Sequence, residues 1–230
     1  VDGYSSGYCI MACLIFGTFY TVVGDIPMVM LASVCIGALL PFFFHNVFGD
    51  RSKMFIGDGG SLMMGVAMST YVVAVISVRD EAFDAMPDGM GLVAFTMAVM
   101  AVPVFDTLRV MTMRILRRTS PFRPDKTHLH HLFIDLGFSH IATTLSVLSL
   151  NLLVVLAWLI SYLAGASVDV QFYVVIVSSV LVTAIFYKVM RMQMACNGIL
   201  ARAMRKIAAR SHCQERTSWK RLQRIMDKRS

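Results

Sequence analysis

Six stretches of this chain carry no charge and approach the length needed to cross a lipid bilayer: Tyr8 to Val23, Ile26 to Phe44, Ser61 to Val78, Gly91 to Phe105, Ile141 to Ala164 and Val170 to Tyr187. A helix spans the hydrocarbon with roughly 20 mainly apolar residues, and hydrocarbon accepts only elements that satisfy their own backbone hydrogen bonds. The first and fourth stretches are short, so each must borrow flanking residues or tilt and thin the bilayer at its end. A water-soluble fold can hide one or two such runs in its core. Six in series, in a chain that is 57% apolar and 15% charged, leave almost no polar surface to face water. The expectation is an all-α, polytopic membrane helix bundle of about six spans. A transmembrane domain should cover 1-190, and an amphipathic or disordered basic tail 191-230.

Charge orients the spans. The connections at Gly24-Asp25, Asn46 to Gly60, Arg79 to Met90, Leu108 to His140, Gly165 to Asp169 and the tail from Lys188 must alternate sides. Placing the second, fourth and tail segments inside puts 20 of the 21 Lys and Arg residues in the cytoplasm. Arg79 alone stays outside, among Asp80, Glu81, Asp84 and Asp88. This is a strong positive-inside bias. The net charge of +7 then reflects cations beside anionic lipid headgroups and calls for no nucleic-acid partner. The tail carries twelve Lys or Arg, with Ile199, Leu200, Met204, Ile207, Leu222, Ile225 and Met226 at helical spacings, which predicts a helix resting on the inner leaflet. A solvated topology anchor explains the same charge run.

Five cysteines, without a Cys-x-x-Cys pair, support neither a disulfide framework nor a zinc site. The chain opens on Val1 with no basic signal-peptide region before Tyr8, so an earlier segment is expected to be missing.

Three polar constellations fall in the two inside loops. Phe55-Ile56-Gly57-Asp58-Gly59-Gly60-Ser61 precedes the third span; its glycines permit close backbone approach, and Ser61 is placed to cap the helix. A helix start offers free N–H groups to an anion, and an aspartate there suits Mg²⁺ held against a diphosphate. A tight turn with a cap is the commoner origin of such a pattern. Pro103-Val104-Phe105-Asp106-Thr107-Leu108-Arg109 ends the fourth span, where proline can bend the helix. Asp106 is either a functional group near the membrane or the i,i+3 partner of Arg109. Pro121-Phe122-Arg123-Pro124-Asp125-Lys126-Thr127-His128-Leu129-His130-His131 follows Arg114, Arg117 and Arg118. Three histidines within four residues, flanked by cations and without a nearby cysteine, point to anion binding rather than zinc; solvated loop histidines are the plainer alternative. Charge alone makes Arg117 and Arg118 candidate phosphate contacts. His45, Asn151, Trp158 and Trp219 read as interface or packing residues.

Taken together, these motifs resemble the polyprenyl-phosphate N-acetylhexosamine-1-phosphate transferases, glycosyltransferase family 4, and most closely the branch that transfers GlcNAc-1-phosphate to undecaprenyl phosphate. The resemblance rests on Phe55 to Leu62, Pro103 to Arg109, Ser120-Pro121-Phe122 and Asp125 to His131, in matching order and spacing. Val1-Asp2-Gly3-Tyr4-Ser5-Ser6-Gly7 is similar to the end of a further family motif, with Asp2 at its second aspartate. It covers nearly all of the first 190 residues. The resemblance implies Mg²⁺-dependent transfer, with Mn²⁺ as an alternative ion, of a sugar phosphate from a UDP-N-acetylhexosamine to undecaprenyl phosphate, releasing UMP at the cytoplasmic face of a bacterial inner membrane. It implies Asp58 as metal ligand and catalytic carboxylate, and Asp2 and Asp106 as supporting acidic residues. His128, His130 and His131 would lie at the diphosphate or uridine side, converging with Asp58 on one pyrophosphate. The bilayer is a partner, and a homodimer is a further candidate arrangement.

Family members also carry an earlier Asp-Asp motif and a first aspartate in the motif cut at Val1. Neither is present, so the 230-residue chain by itself is not expected to turn over. The alternative is a non-catalytic membrane remnant or scaffold that binds nucleotide-sugar or lipid phosphate. A transporter fits less well, because its ionisable groups would lie near the midplane, whereas these runs are uncharged through their middles. The sugar stays open among GlcNAc, other N-acetylhexosamines and muramoyl-pentapeptide; the product's destination stays open among O-antigen, teichoic acid, capsule and other glycans.

Overall fold

A computed structural model describes residues 1–77, 89–122, 126–212 and 217–227, without the side chains of 217, 218, 222, 225 and 226. The acidic connection expected outside the membrane, Arg79 to Asp88, lies outside the described residues, as do Arg123 to Asp125, Cys213 and the side chains of Leu222, Ile225 and Met226. All elements among the described residues are helical. Five helices are long and apolar enough to cross a membrane, or six if one sharply bent pair forms a single span. The chain is therefore a multi-pass helical membrane protein. It divides into two compact units, Val1–Leu92 with Cys213–Ser230, and Val93–His212.

The first unit contains α1 (Tyr4–Val23), α2 (Ile26–Phe48), α3 (Gly57–Ile76) and the tail helix α11 (Thr217–Asp227). The short first run borrows its extra turn at the N-terminal side, from Tyr4. Gly24 ends α1 in the left-handed region at φ 82, a conformation cheap only for glycine. Asp25 then opens α2 by accepting a hydrogen bond from Met28 N at 3.2 Å, the normal task of an N-cap carboxylate. The resulting hairpin packs closely at Gly17, where an added Cβ would stand 3.0 Å from that of Ala32. Its core holds Ala12, Cys13, Phe16, Tyr20 and Tyr71. Tyr20 donates to Tyr71 O at 3.0 Å, so the one polar end of a buried ring is satisfied.

The second unit runs through α4 (Leu92–Val99), α5 (Ala101–Leu116), α6 (Leu129–Asp135), α7 (His140–Leu163), α8 (Val168–Val180), a π turn (Leu181–Ile185), α9 (Phe186–Ala195) and α10 (Ile199–Arg210). From Val168 to Ala195 the last span is continuous for 28 residues, about two turns beyond the apolar run at its C-terminal side. The fourth run is a sharply bent helix pair, α4 and α5 meeting at 74°, the geometry of a broken span or of a re-entrant loop. The break lies at Met100 rather than at Pro103 itself. Proline has no N–H to give the carbonyl four residues back and its ring crowds that carbonyl, so the disruption falls one turn upstream, at Val99. Asn151 of α7, 0% exposed, repairs it. Its Oδ1 accepts from Val102 N at 2.9 Å and its Nδ2 donates to Val99 O at 3.0 Å. A residue that reads in sequence as packing is therefore the clamp across a helix break.

Replacing Asn151 with leucine keeps the volume but removes both of these hydrogen bonds. Equilibrium denaturation of the detergent-solubilised or bilayer-embedded protein should show a loss of roughly 1–3 kcal/mol, whereas Asn151→Gln should recover part of it.

Candidate functional site

Each unit holds its own group of motif residues. In the first, the order is set at Asn46. Sequence marks it as the first residue of a loop, but α2 extends a turn further and buries it in its last turn. Its Oδ1 accepts from Gly3 N at 2.6 Å and its Nδ2 donates to Met54 O at 2.7 Å. One side-chain amide thus ties the start of the chain to the strand of backbone leading into α3. Asp2 and Asp58 consequently line one cavity of about 430 Å³, together with Asn46, Phe55, Gly57 and Ser61. Two carboxylates that sequence assigns to separate motifs share a space.

Asp58 lies exposed in the first turn of α3. The helix starts at Gly57, whose φ of 62 is a left-handed value that disfavours side chains. Ser61 is not the cap that its position suggests. It sits one turn inside the helix and donates to Asp58 O at 2.8 Å, while the capping position is Ile56, without a side-chain hydrogen bond. Asp2 is engaged by Lys53, whose Nζ lies 2.7 Å from Oδ2. The loop carrying Lys53 is fastened in turn by Asp227 of α11, which accepts from Asp50 N, Ser52 N and Ser52 Oγ at 3.3, 3.2 and 3.0 Å. Phe48 and Trp219 add a ring contact at 4.6 Å between centroids.

In the second unit the organiser is Asp106, 6% exposed. Arg109 Nη2 donates to its Oδ1 at 2.6 Å, His128 Nδ1 lies 2.9 Å from Oδ2, and Leu129 N reaches both oxygens at 3.2 and 3.1 Å. Arg109 also donates to Thr127 O at 2.7 Å and stacks 3.8 Å above the Tyr187 ring. Both readings of Asp106 in the sequence meet here: it pairs with Arg109, and it also starts α6 and orients His128. With this many donors on one buried carboxylate, its geometry is that of a positioning group. The far end of α6 is held by Arg191, whose Nη1 lies 2.7 Å from Asp135 Oδ2.

Between those two fastenings stand the histidines. The His128 and His130 rings are stacked with centroids 5.8 Å apart, and His130 and His131 are 4.3 Å apart. Burial, with the neighbouring imidazoles, pushes His130 down to about 4. Burial also lowers His131, again with help from His128. Both are therefore neutral at pH 7, and neutral imidazoles accept as well as donate hydrogen bonds. Arg117 and Arg118 are exposed at the end of α5. Arg118, at φ 56, terminates that helix in a conformation strained for a side-chain-bearing residue. Among the described residues no three His, Cys, Asp or Glu side chains are grouped to hold a metal.

Residues 1–77 match the family model described as glycosyl transferase family 4. The first third of the chain carries that family's pattern. The chain is 32% identical over 152 residues to the decaprenyl-phosphate N-acetylglucosaminephosphotransferase of Mycolicibacterium smegmatis, covering 61% of this chain and 37% of the relative. It is 30% identical over 105 residues to the undecaprenyl-phosphate alpha-N-acetylglucosaminyl 1-phosphate transferase of Pasteurella multocida, covering 44% and 27%. The same-named protein of Escherichia coli K12 is 26% identical over 141 residues, covering 60% and 36%. The matched part of the chain thus spans between about a quarter and little more than a third of the length of these relatives. No solved structure matches it significantly. The resemblance drawn from the motifs is borne out, and the family match encloses Asp2, Asn46, Lys53 and Asp58.

Asn46, Lys53, Asp227 and Tyr187 complete the two groups without having been singled out by sequence. Tyr187 and Arg191 lie four apart, a helical neighbour spacing; Asn46, Lys53 and Asp227 have no local signal, because their partners are remote in the chain.

Two outcomes follow from the second group. Asp106→Asn leaves Arg109 buried without its counter-charge, which should lower stability by about 3–5 kcal/mol and speed amide exchange at Leu129 in hydrogen–deuterium exchange. Because His130 in the folded chain binds its proton only near pH 4, against 6.5 in an unfolded one, the unfolded state takes up more protons between those values. Stability should be full above pH 6.5 and decline as pH falls toward 4, and His130→Gln should flatten that slope in a series of melting curves.

Proposed function

We propose that the protein of which this chain is a part or the whole transfers a sugar-1-phosphate, GlcNAc-1-phosphate above all, from a UDP-sugar to a polyprenyl phosphate such as undecaprenyl phosphate, releasing UMP. One phosphate oxygen of the lipid attacks the phosphorus that bears the sugar. A P–O bond forms, the bond from that phosphorus to the bridging oxygen breaks, and UMP leaves with the electron pair. The observation that carries the reading is the shared cavity of Asp2 and Asp58, within the segment matching a glycosyl transferase family. The printed names of the relatives supply the substrate class.

The donor set at the cavity fits Mg²⁺ in one manner. That ion binds through one or two carboxylates and fills its remaining positions with water and phosphate; Asp58 offers an exposed carboxylate, while Asp2 is already paired with Lys53. When bound, Mg²⁺ would neutralise diphosphate charge and strengthen UMP as a leaving group. The protein's own contribution is positional: Asn46 and Lys53 hold the carboxylates in register, and the neutral histidines are assigned to the uridine or diphosphate side of the donor. Arg117 and Arg118 are assigned to phosphate. The reaction would face the cytoplasm from a bacterial inner membrane and begin a cell-envelope glycan.

A binding-only reading is favoured by one observation, the Lys53 ammonium occupying Asp2. It requires UDP-sugar to be retained without UMP release.

Membranes containing undecaprenyl phosphate and the product of the complete reading frame should release UMP from UDP-GlcNAc faster than from other UDP-sugars. Asp58→Asn should lower that rate by roughly 100-fold or more. A wild-type rate in the variant removes Asp58 from the chemistry, and retention of UDP-sugar with no UMP from the wild type establishes the binding-only reading.

A further inference from the structure

The helix α10 (Ile199–Arg210) is built inside out relative to an ordinary surface helix. An amphipathic helix on a soluble core turns its large apolar residues inward. Here the buried positions are Ala201 and Ala208, and the large apolar side chains Ile199, Leu200 and Ile207 are 75, 51 and 56% exposed. Beside them lie Arg202, Arg205, Lys206 and Arg210, with no acidic residue between 199 and 210. The helix therefore has a small-residue face against its own unit, an outward apolar edge and a cationic flank.

Its location is constrained. The preceding span ends at Ala195, and only Cys196, Asn197 and Gly198 separate it from α10. The helix rises about 12 Å from Tyr187, where the apolar run ends, to Ala195, and three residues add about 10 Å at most, so α10 stays within roughly 20 Å of the hydrocarbon edge. At its other end the helix is latched to the turn that follows the histidine helix α6. Ser139 N donates to Ser211 Oγ at 3.1 Å, Ser139 Oγ donates to Ser211 O at 3.0 Å, and His212 Nε2 lies 3.0 Å from Gly137 O.

We propose that α10 docks on an anionic bilayer surface, and that this docking steadies the histidine helix through the Ser211–Ser139 latch. Charge complementarity selects the occupant. Four cations without an acidic partner among the described residues, flanking an outward apolar edge, match acyl chains below and acidic headgroups around them. The proposal is independent of the reaction above and requires no turnover.

The full chain reconstituted in nanodiscs provides the test, with hydrogen–deuterium exchange read over residues 199–210 and 129–136. Moving from phosphatidylcholine to discs with roughly 30% phosphatidylglycerol should slow exchange in α10 roughly tenfold, slow α6 by a smaller factor, and lose most of the effect at high salt. Inorganic phosphate added to phosphatidylcholine discs should not reproduce it. The triple variant Arg202→Gln, Lys206→Gln, Arg210→Gln should keep the wild-type melting midpoint in detergent while losing the lipid response. Ser211→Ala, which removes the Ser139 N bond and leaves the other two, should preserve the response of α10 and reduce that of α6. Equal exchange in both lipids, a response that survives in the triple variant, or slowing that appears only when two chains share a disc overturns the docking. An unchanged α6 response in Ser211→Ala overturns the latch.

Discussion

In an environment that supplies little water, a backbone polar group needs a partner within the protein, and this constraint governs three irregular points of the structure. Three side chains meet it by bridging segments remote in sequence. Asn46 joins Gly3 to Met54, Asn151 joins Val99 to Val102, and Asp106 gathers Arg109, His128 and Leu129. Each stands where a helix begins, breaks or hands over to a loop, the places at which helical backbone cannot satisfy itself.

Two of these bridges, Asn46 and Asp106, build the candidate sites. Asn46, with the Lys53–Asp2 ion pair, holds the Asp2 segment beside the loop that leads to Gly57; Asp106 fixes the start of the histidine helix, whose far end Arg191 holds. Both arrangements use a buried amide or carboxylate to fix the backbone, leaving a more accessible group beside it, the exposed Asp58 in one case and the half-buried imidazoles in the other. Such division of labour suits chemistry that depends mainly on placing and neutralising phosphate charge. The cationic tail extends the theme. Asp227 fastens the loop of Lys53, and Ser211 fastens the turn behind α6, so both motif-bearing regions are tied to the C-terminal segment.

Much of this was legible in the residues. Uncharged runs of sufficient length identify spans because hydropathy and length suffice for that inference, and the short first run lengthens where expected. The i,i+3 spacing of Asp106 and Arg109 announced their pairing. Ser61 and Pro103 were less transparent. Both were read by local rules, yet the helix start was decided by the left-handed backbone of Gly57, and the break fell a turn before the proline because that is where the lost hydrogen bond lies.

By itself, then, the sequence determined that the chain is helical, that it crosses a membrane repeatedly, and which motifs carry carboxylates and imidazoles, since all of these are local properties of composition and spacing. Tertiary structure alone decided that Asp2 and Asp58 share a cavity, that Asn151 clamps a sharply bent helix pair, and that Asp106 spends its charge on orientation. Those outcomes depend on which partner a buried polar group finds, and the partners lie dozens of residues away, beyond the reach of any periodicity.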